Sequence, residues 1–150
     1  MPNKPEKVGI KSWMLVEVDS KYIINGFPYC RAEADRPTNE LQGEFVTKKL
    51  MEPYFNKGRH VTTDNIFTSL KLADELLKVK TTLIGTVKHN KRELPECAKF
   101  KKHQLHSSKF FENRSGSTLT IYQCKPAKSV VILSSLNESI MIPPNFKKGR

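Results

Sequence analysis

Among the side chains that could do chemistry, Asp64 has the most informative surroundings. In the string HVTTDNIFTSL it follows a short β-branched run, residues 60–63, and precedes residues with helical apolar spacing. A carboxylate between a strand and a helix sits at the carboxyl edge of a sheet, where ligand sites of α/β proteins form. Two uses fit that place. One is ligation of Mg²⁺, with paired metals activating a water or hydroxyl and stabilising the leaving oxygen in phosphodiester cleavage. The other is capping of the helix that follows. The local sequence leaves both open. Cys97, His103 and His106 form a second cluster, but they make at most three ligands at a spacing that matches no zinc pattern. The three cysteines, Cys30, Cys97 and Cys124, are odd in number and far apart. That excludes a disulfide framework and predicts reduced thiols in a reducing compartment.

A third group is basic. Lys88, His89, Asn90, Lys91 and Arg92 follow directly on an apolar strand-like run, and Lys99, Lys101 and Lys102 extend the charge. Such side chains bind phosphates, giving affinity without base readout. The 150-residue chain carries 26 Lys plus Arg against 15 Asp plus Glu, and the excess is uneven. Residues 1–77 net zero, residues 78–110 net +7 and residues 111–150 net +4. A neutral scaffold with a basic half is the footprint of a polyanion-binding surface, although a Lys-rich solvated loop has the same composition.

The elements that must hold these groups can be read from spacing. Residues 8–18 are apolar on both faces and predict a buried strand, joined through Asp19-Ser20-Lys21 to a second strand in a hairpin. Asp19 reads as a turn residue. Residues 28–39 carry two prolines and no period, and form a loop. Asn39 and Gln42 suit the start of a helix whose face is Leu41, Phe45, Leu50 and Met51, ended by Pro53 and Gly58. A strand at 60–63 follows. A helix from Ile66 has Ile66, Leu70, Ala73 and Leu77 on one face, with Asp74 on its surface. Residues 83–87 predict another strand. The order strand, strand, helix, strand, helix, strand indicates an α/β layer with a helical crossover. Residues 88–109 show no period. Residues 118–124 and 129–135 are β-type runs joined by Lys125-Pro126-Ala127-Lys128, and the preceding Phe110–Phe111 pair reads as core. No apolar run approaches the roughly 20 residues of a membrane span. The start lacks the apolar stretch of a secretory signal, so an intracellular chain is expected.

Five blocks carry a wider likeness: MPNKPEKVGIK with KYIINGFPYC, then VTTDNIFTSLKLADELL, LIGTVKHNKRELPE and YQCKPAKSVVILSS. In this order they resemble the catalytic core of piggyBac-type transposases and their domesticated relatives, over nearly the whole chain. The resemblance implies a ribonuclease-H-like core with a β-rich insertion. It divides the chain into a ribonuclease-H-like portion at about 1–87, a basic loop and β-rich insertion at about 88–140, and a linker-like tail at 141–150. It also implies three aspartates holding two Mg²⁺ ions for DNA strand cleavage and transfer. Asp64 matches the second of these, as catalytic residue and metal ligand. The first lies on a strand before the MPNKP block and the third beyond the KKGR segment. Asp19, Asp35, Asp74 and Glu138 match neither.

By this resemblance the chain is an incomplete core, inactive alone, because one carboxylate does not fix a two-metal site. The implied partner is DNA, contacted by Lys88, Lys91, Arg92, Lys99, Lys101 and Lys102, with the nucleus as location and no membrane association. The family's dimerisation regions lie outside the matched blocks. A lost first strand predicts unpaired backbone and an exposed apolar face. The alternative is a domesticated, non-catalytic protein that binds DNA or chromatin. No RNA-binding motif is present.

Overall fold

The computed structural model describes residues 9–29, 36–99 and 104–136, with Cys97 and Lys99 described as backbone only. The chain opens with an antiparallel hairpin, β1 (Ser12–Val16) and β2 (Ile23–Pro28). Helix α1 (Gln42–Met51) runs into a single 3-10 turn, Glu52–Tyr54, where Pro53 ends the α-helical bonding. Then come β3 (His60–Thr63), α2 (Leu70–Lys78), β4 (Thr82–Val87), a short α3 (Glu96–Lys99), β5 (Ser108–Glu112), β6 (Thr118–Lys125) and β7 (Lys128–Ser134). The last five strands form one mixed sheet in the order β3-β4-β7-β6-β5. Only β3 and β4 are parallel, with Val61 opposite Leu83, and α2 is the crossover that a parallel pair requires.

One face of this sheet is buried. Val61, Leu83, Val87, Val131, Leu133, Leu119 and Ile121 alternate along their strands and join Leu72, Ala73 and Leu76 of α2 and Met51 of α1 in a single core. Each such leucine contributes about 1.5–3 kcal/mol by leaving water. Lys48 clasps α1 to its surroundings, pairing with Glu40 and with Glu75 of α2. Burial by itself would lower the Lys48 pKa, but hydrogen bonds and attraction from Glu40 and Glu75 outweigh it and raise the value.

The predicted crossover, the strand at 60–63 and the hairpin around Pro126–Ala127 are all present. Other expectations need correction. The first strand is not buried on both faces: Met14 is 55% and Val16 43% exposed. The reason is that β1 and β2 form a separate two-stranded sheet, with only one side against the rest. Asn39 lies in a turn and Leu41 occupies the N-cap position of α1, so the buried face of α1 is Val46, Leu50 and Met51. Helix α2 begins four residues later than its spacing suggested. Ile66 is in an exposed turn, and Leu72, Ala73 and Leu76 face the core. The pair Phe110–Phe111 lies on β5, where alternation sends Phe111 toward the core and leaves Phe110 45% exposed.

Neither the second edge of β1 nor that of β3 pairs with a strand among the described residues. The two edges face each other across a cleft. Trp13 and Leu15 lie beside Thr63 and Asp64 at one end, in a space of about 130 Å³. Val16 and Glu17 lie beside Arg59 and His60 at the other, in a space of about 520 Å³. The two strands therefore run in opposite directions along the cleft.

The hairpin turn is organised by Glu17, whose carboxylate accepts the Ser20 hydroxyl at 2.5 Å, the Ser20 amide at 2.6 Å and the Asp19 amide at 3.2 Å. These donors, the Ser20 hydroxyl foremost, lower its pKa from 4.5 to about 2. A carboxyl whose folded pKa is depressed stabilises at pH above its unfolded value and loses that contribution as pH falls through the folded one. Amide exchange at Ser20 should therefore accelerate as pH drops from about 4.5 toward 2, beyond the intrinsic trend. Glu17→Gln should remove that pH dependence, and an unchanged profile would show that the turn does not rely on the charge.

Candidate functional site

Asp64 follows the last residue of β3, at the end of the sheet where the parallel strands terminate. Its carbonyl closes a tight turn by accepting the amides of Phe67 at 2.9 Å and Thr68 at 3.1 Å, and the Thr68 hydroxyl at 3.0 Å. Its carboxylate is exposed. Oδ1 accepts the Asn65 amide at 2.7 Å and the Thr86 hydroxyl at 3.4 Å. The cap of α2 is a different residue. Ser69 Oγ accepts the Leu72 amide at 3.1 Å while donating to the buried Glu44 carboxylate at 2.6 Å. The capping alternative for Asp64 is thus excluded, and its charged group is left facing outward.

The turn is held from three sides. Gly85 of β4 lies flush against it: a Cβ there would sit 2.6 Å from the Thr63 carbonyl and closer still to the Thr68 hydroxyl. The basic loop grips it from the second side. Lys91 Nζ donates to the Thr68 carbonyl at 2.5 Å and pairs with Glu93 at 3.7 Å, and Glu93 accepts the Leu70 amide at 3.2 Å. Trp13 approaches from the third, its ring edge-on to Phe67 at 5.5 Å.

The basic residues expected to bind phosphate divide accordingly. Lys88 is exposed directly after β4, one residue past Val87, near the Asp64 turn, and Arg92 is exposed in the loop that follows. Lys91 is only 17% exposed and is tied into the turn. Lys101, Lys102 and the Lys99 side chain lie outside the described residues. Of the Cys97–His103–His106 cluster, only the His106 side chain is described, and its Nδ1 meets the Tyr122 hydroxyl at 3.1 Å. Cys30 also lies outside the description, and Cys124 is a free thiol. Asp19 is in the hairpin turn as read, whereas Asp74 is half-buried rather than on the surface of α2. The sequence reading missed Gly85, Thr86 and Glu93 as positioning residues. Their only local signal is a glycine inside the LIGTV strand, which marks a close backbone approach.

The whole chain, residues 1–150, matches the family model described as Transposase IS4. The chain belongs to the IS4 transposase family. A solved relative lies within the piggyBac type: a piggyBac transposase, determined by cryo-electron microscopy as a synaptic complex with hairpin DNA. It is 40% identical and superposes with a TM-score of 0.83, over 96% of this chain and 30% of that one. The chain therefore spans less than a third of that transposase, and the piggyBac-type likeness read from the five blocks holds.

The transposase family implies a divalent metal for catalysis. Asp64 suits such an ion, being an exposed carboxylate with Oδ2 left open. A hard cation takes about six oxygen ligands, with carboxylates carrying the charge. Among the described residues no group of three His, Cys, Asp or Glu side chains surrounds one point. Asp64 would supply one carboxylate toward such a set.

The close approach at Gly85 makes it the residue on which the placement of Asp64 depends. Gly85→Ala should push the Thr63–Thr68 turn off β4 and cost about 1–3 kcal/mol in overpacking. Chemical denaturation should register a lower midpoint, and the Asn65 amide resonance should shift. A variant with the wild-type midpoint and resonance would show that the turn has slack.

Proposed function

We propose that this chain is part of the catalytic core of a piggyBac-type DNA transposase, contributing one metal-ligating aspartate, Asp64, and a phosphate-binding edge. The observation that carries this is the TTDNIFTS turn, which leaves an exposed carboxylate at the carboxyl end of the parallel pair, where exposed Lys88 leaves β4. The full-length family match and the 40% identical transposase support it. The ancestral reaction is Mg²⁺-dependent cleavage and transfer of DNA strands. With only Asp64 matched of the family's three aspartates, the 150-residue chain does not carry that reaction out by itself. It acts in the nucleus, where its DNA partner is.

We read the fold as a ribonuclease-H-like arrangement over about 1–87 followed by a β-rich insertion over about 88–140; the tail at 141–150 lies outside the described residues. The cleft between β1 and β3 supports this reading. One strand seated there, antiparallel to β1 and parallel to β3, would join the hairpin and the five-stranded sheet into one continuous sheet.

Binding to duplex DNA, followed by fluorescence anisotropy across a salt series, separates binding from cleavage. The chain should bind without sequence preference, with affinity falling as salt rises. Asp64→Ala should bind as well or slightly better, since it removes a negative charge beside the phosphate path. Neither protein should nick DNA, with or without Mg²⁺. Nicking by the wild type that is lost in Asp64→Ala would overturn the claim that the site is incomplete. Absence of salt-sensitive DNA binding would overturn the DNA reading itself.

A further inference from the structure

The sheet order places more charge beside Asp64 than the basic loop alone. Because β3 and β4 are parallel, β7 is antiparallel to β4 and β6 is antiparallel to β7, four chain positions come to one end of the sheet. Across it they run Asp64 after β3, Lys88 after β4, Lys128 at the start of β7 and Lys125 at the end of β6. The row is staggered: Asp64 follows Thr63, the partner of Gly85, and so is level with Thr86 and Ile132, four residues short of Lys128; it runs about 14 Å across the strands and about 13 Å along them.

The turn that carries the two lysines is built rather than loose. Gln123 is fully buried, and its amide donates to the Lys125 carbonyl at 2.6 Å and the Pro126 carbonyl at 3.4 Å. His89 Nε2 donates to the Ser129 carbonyl at 2.9 Å, pinning the start of β7 to the residue after Lys88. Held in this way, Lys125 and Lys128 are exposed cross-strand partners. Like charges directly opposed on neighbouring strands repel. Neither these two nor Lys88 forms an ion pair among the described residues, unlike Lys48, Lys71 and Lys91. A fixed pair of opposed cations without acidic partners is suited to an anion that lies across both.

We propose that Lys88, Lys128 and Lys125 form a phosphate track for duplex DNA, leading along the sheet edge away from Asp64. This rests on the DNA-binding reading above and adds the β6–β7 turn to it. Each phosphate contact contributes about −0.9 to the log–log slope of affinity against salt. In the 150-residue chain, Lys125→Ala with Lys128→Ala should flatten that slope by about 1.8 units, and the paired Lys→Arg variant should keep it. Lys57→Ala with Lys78→Ala removes the same charge at the opposite end of the sheet and should leave the slope as it is. Circular dichroism should report an unchanged fold in all three. An undiminished slope in the Lys125/Lys128 alanine variant, with the wild type still binding, would overturn the track while leaving the DNA reading standing. Equal flattening in the Lys57/Lys78 variant would reduce the effect to net charge and overturn the track likewise. A wild type that does not bind DNA would overturn both.

Discussion

Parallel pairing of β3 with β4 constrains the rest of the molecule. Two parallel neighbours cannot be joined by a tight turn, so the chain must cross back over the sheet before starting the second strand. Helix α2 makes that crossing, and burying Leu72, Ala73 and Leu76 against Val61 and Leu83 secures it. The same constraint sets the ends of both strands on one edge. Asp64 and Lys88 are 24 positions apart in sequence and adjacent in the fold for that reason alone. Close contact at Gly85 then determines how tightly the Asp64 turn lies on its neighbour.

Charge is distributed by the same architecture. On the helical side, cations are used internally: Lys48 bridges α1 and α2, Lys71 approaches the buried Glu44, and Lys91 ties the basic loop to the α2 entrance. Pairs this open to solvent contribute about 0–1 kcal/mol each, and their value lies in orienting the elements they join. At the sheet edge, Lys88, Lys125 and Lys128 form no ion pair among the described residues. The basic half is thereby divided, with Lys91 holding the scaffold while Lys88, Lys125 and Lys128 face outward.

The β1–β2 hairpin stands apart from this scheme. It is attached through Trp13 against Phe67, Asn25 to the Leu50 carbonyl, and Leu15 against the core, while its second edge and that of β3 pair with no strand among the described residues. Exposed strand edges and apolar side chains such as Met14 and Val16 are a liability in water. Among the elements described, this hairpin and the slot beside it are where the fold is least satisfied.

Much of the architecture was legible in the residues themselves. Alternation marked the strand at 60–63 and the paired strands around Pro126–Ala127, and the strand-helix-strand order called for a crossover. Asp64 was visible as a carboxylate leaving a strand, and the five blocks identified its relatives. Local signals failed where two explanations share one pattern. Ile66 fits the α2 spacing, yet Ser69, with a side-chain acceptor for the Leu72 amide, is the better cap, so the helix starts after it. Lys91 looks like its neighbours Lys88 and Arg92, but only the fold sets the Thr68 carbonyl within its reach. Thus sequence by itself determined the element order as far as β4 and the last hairpin, the charge imbalance and the candidate aspartate, all properties of neighbouring residues, while α3 and β5 left no such signal. Tertiary structure alone decided which cations are consumed inside and which stay free, and that Lys125 shares an edge with Asp64. Those outcomes depend on strand pairings between distant segments, and no local period encodes them.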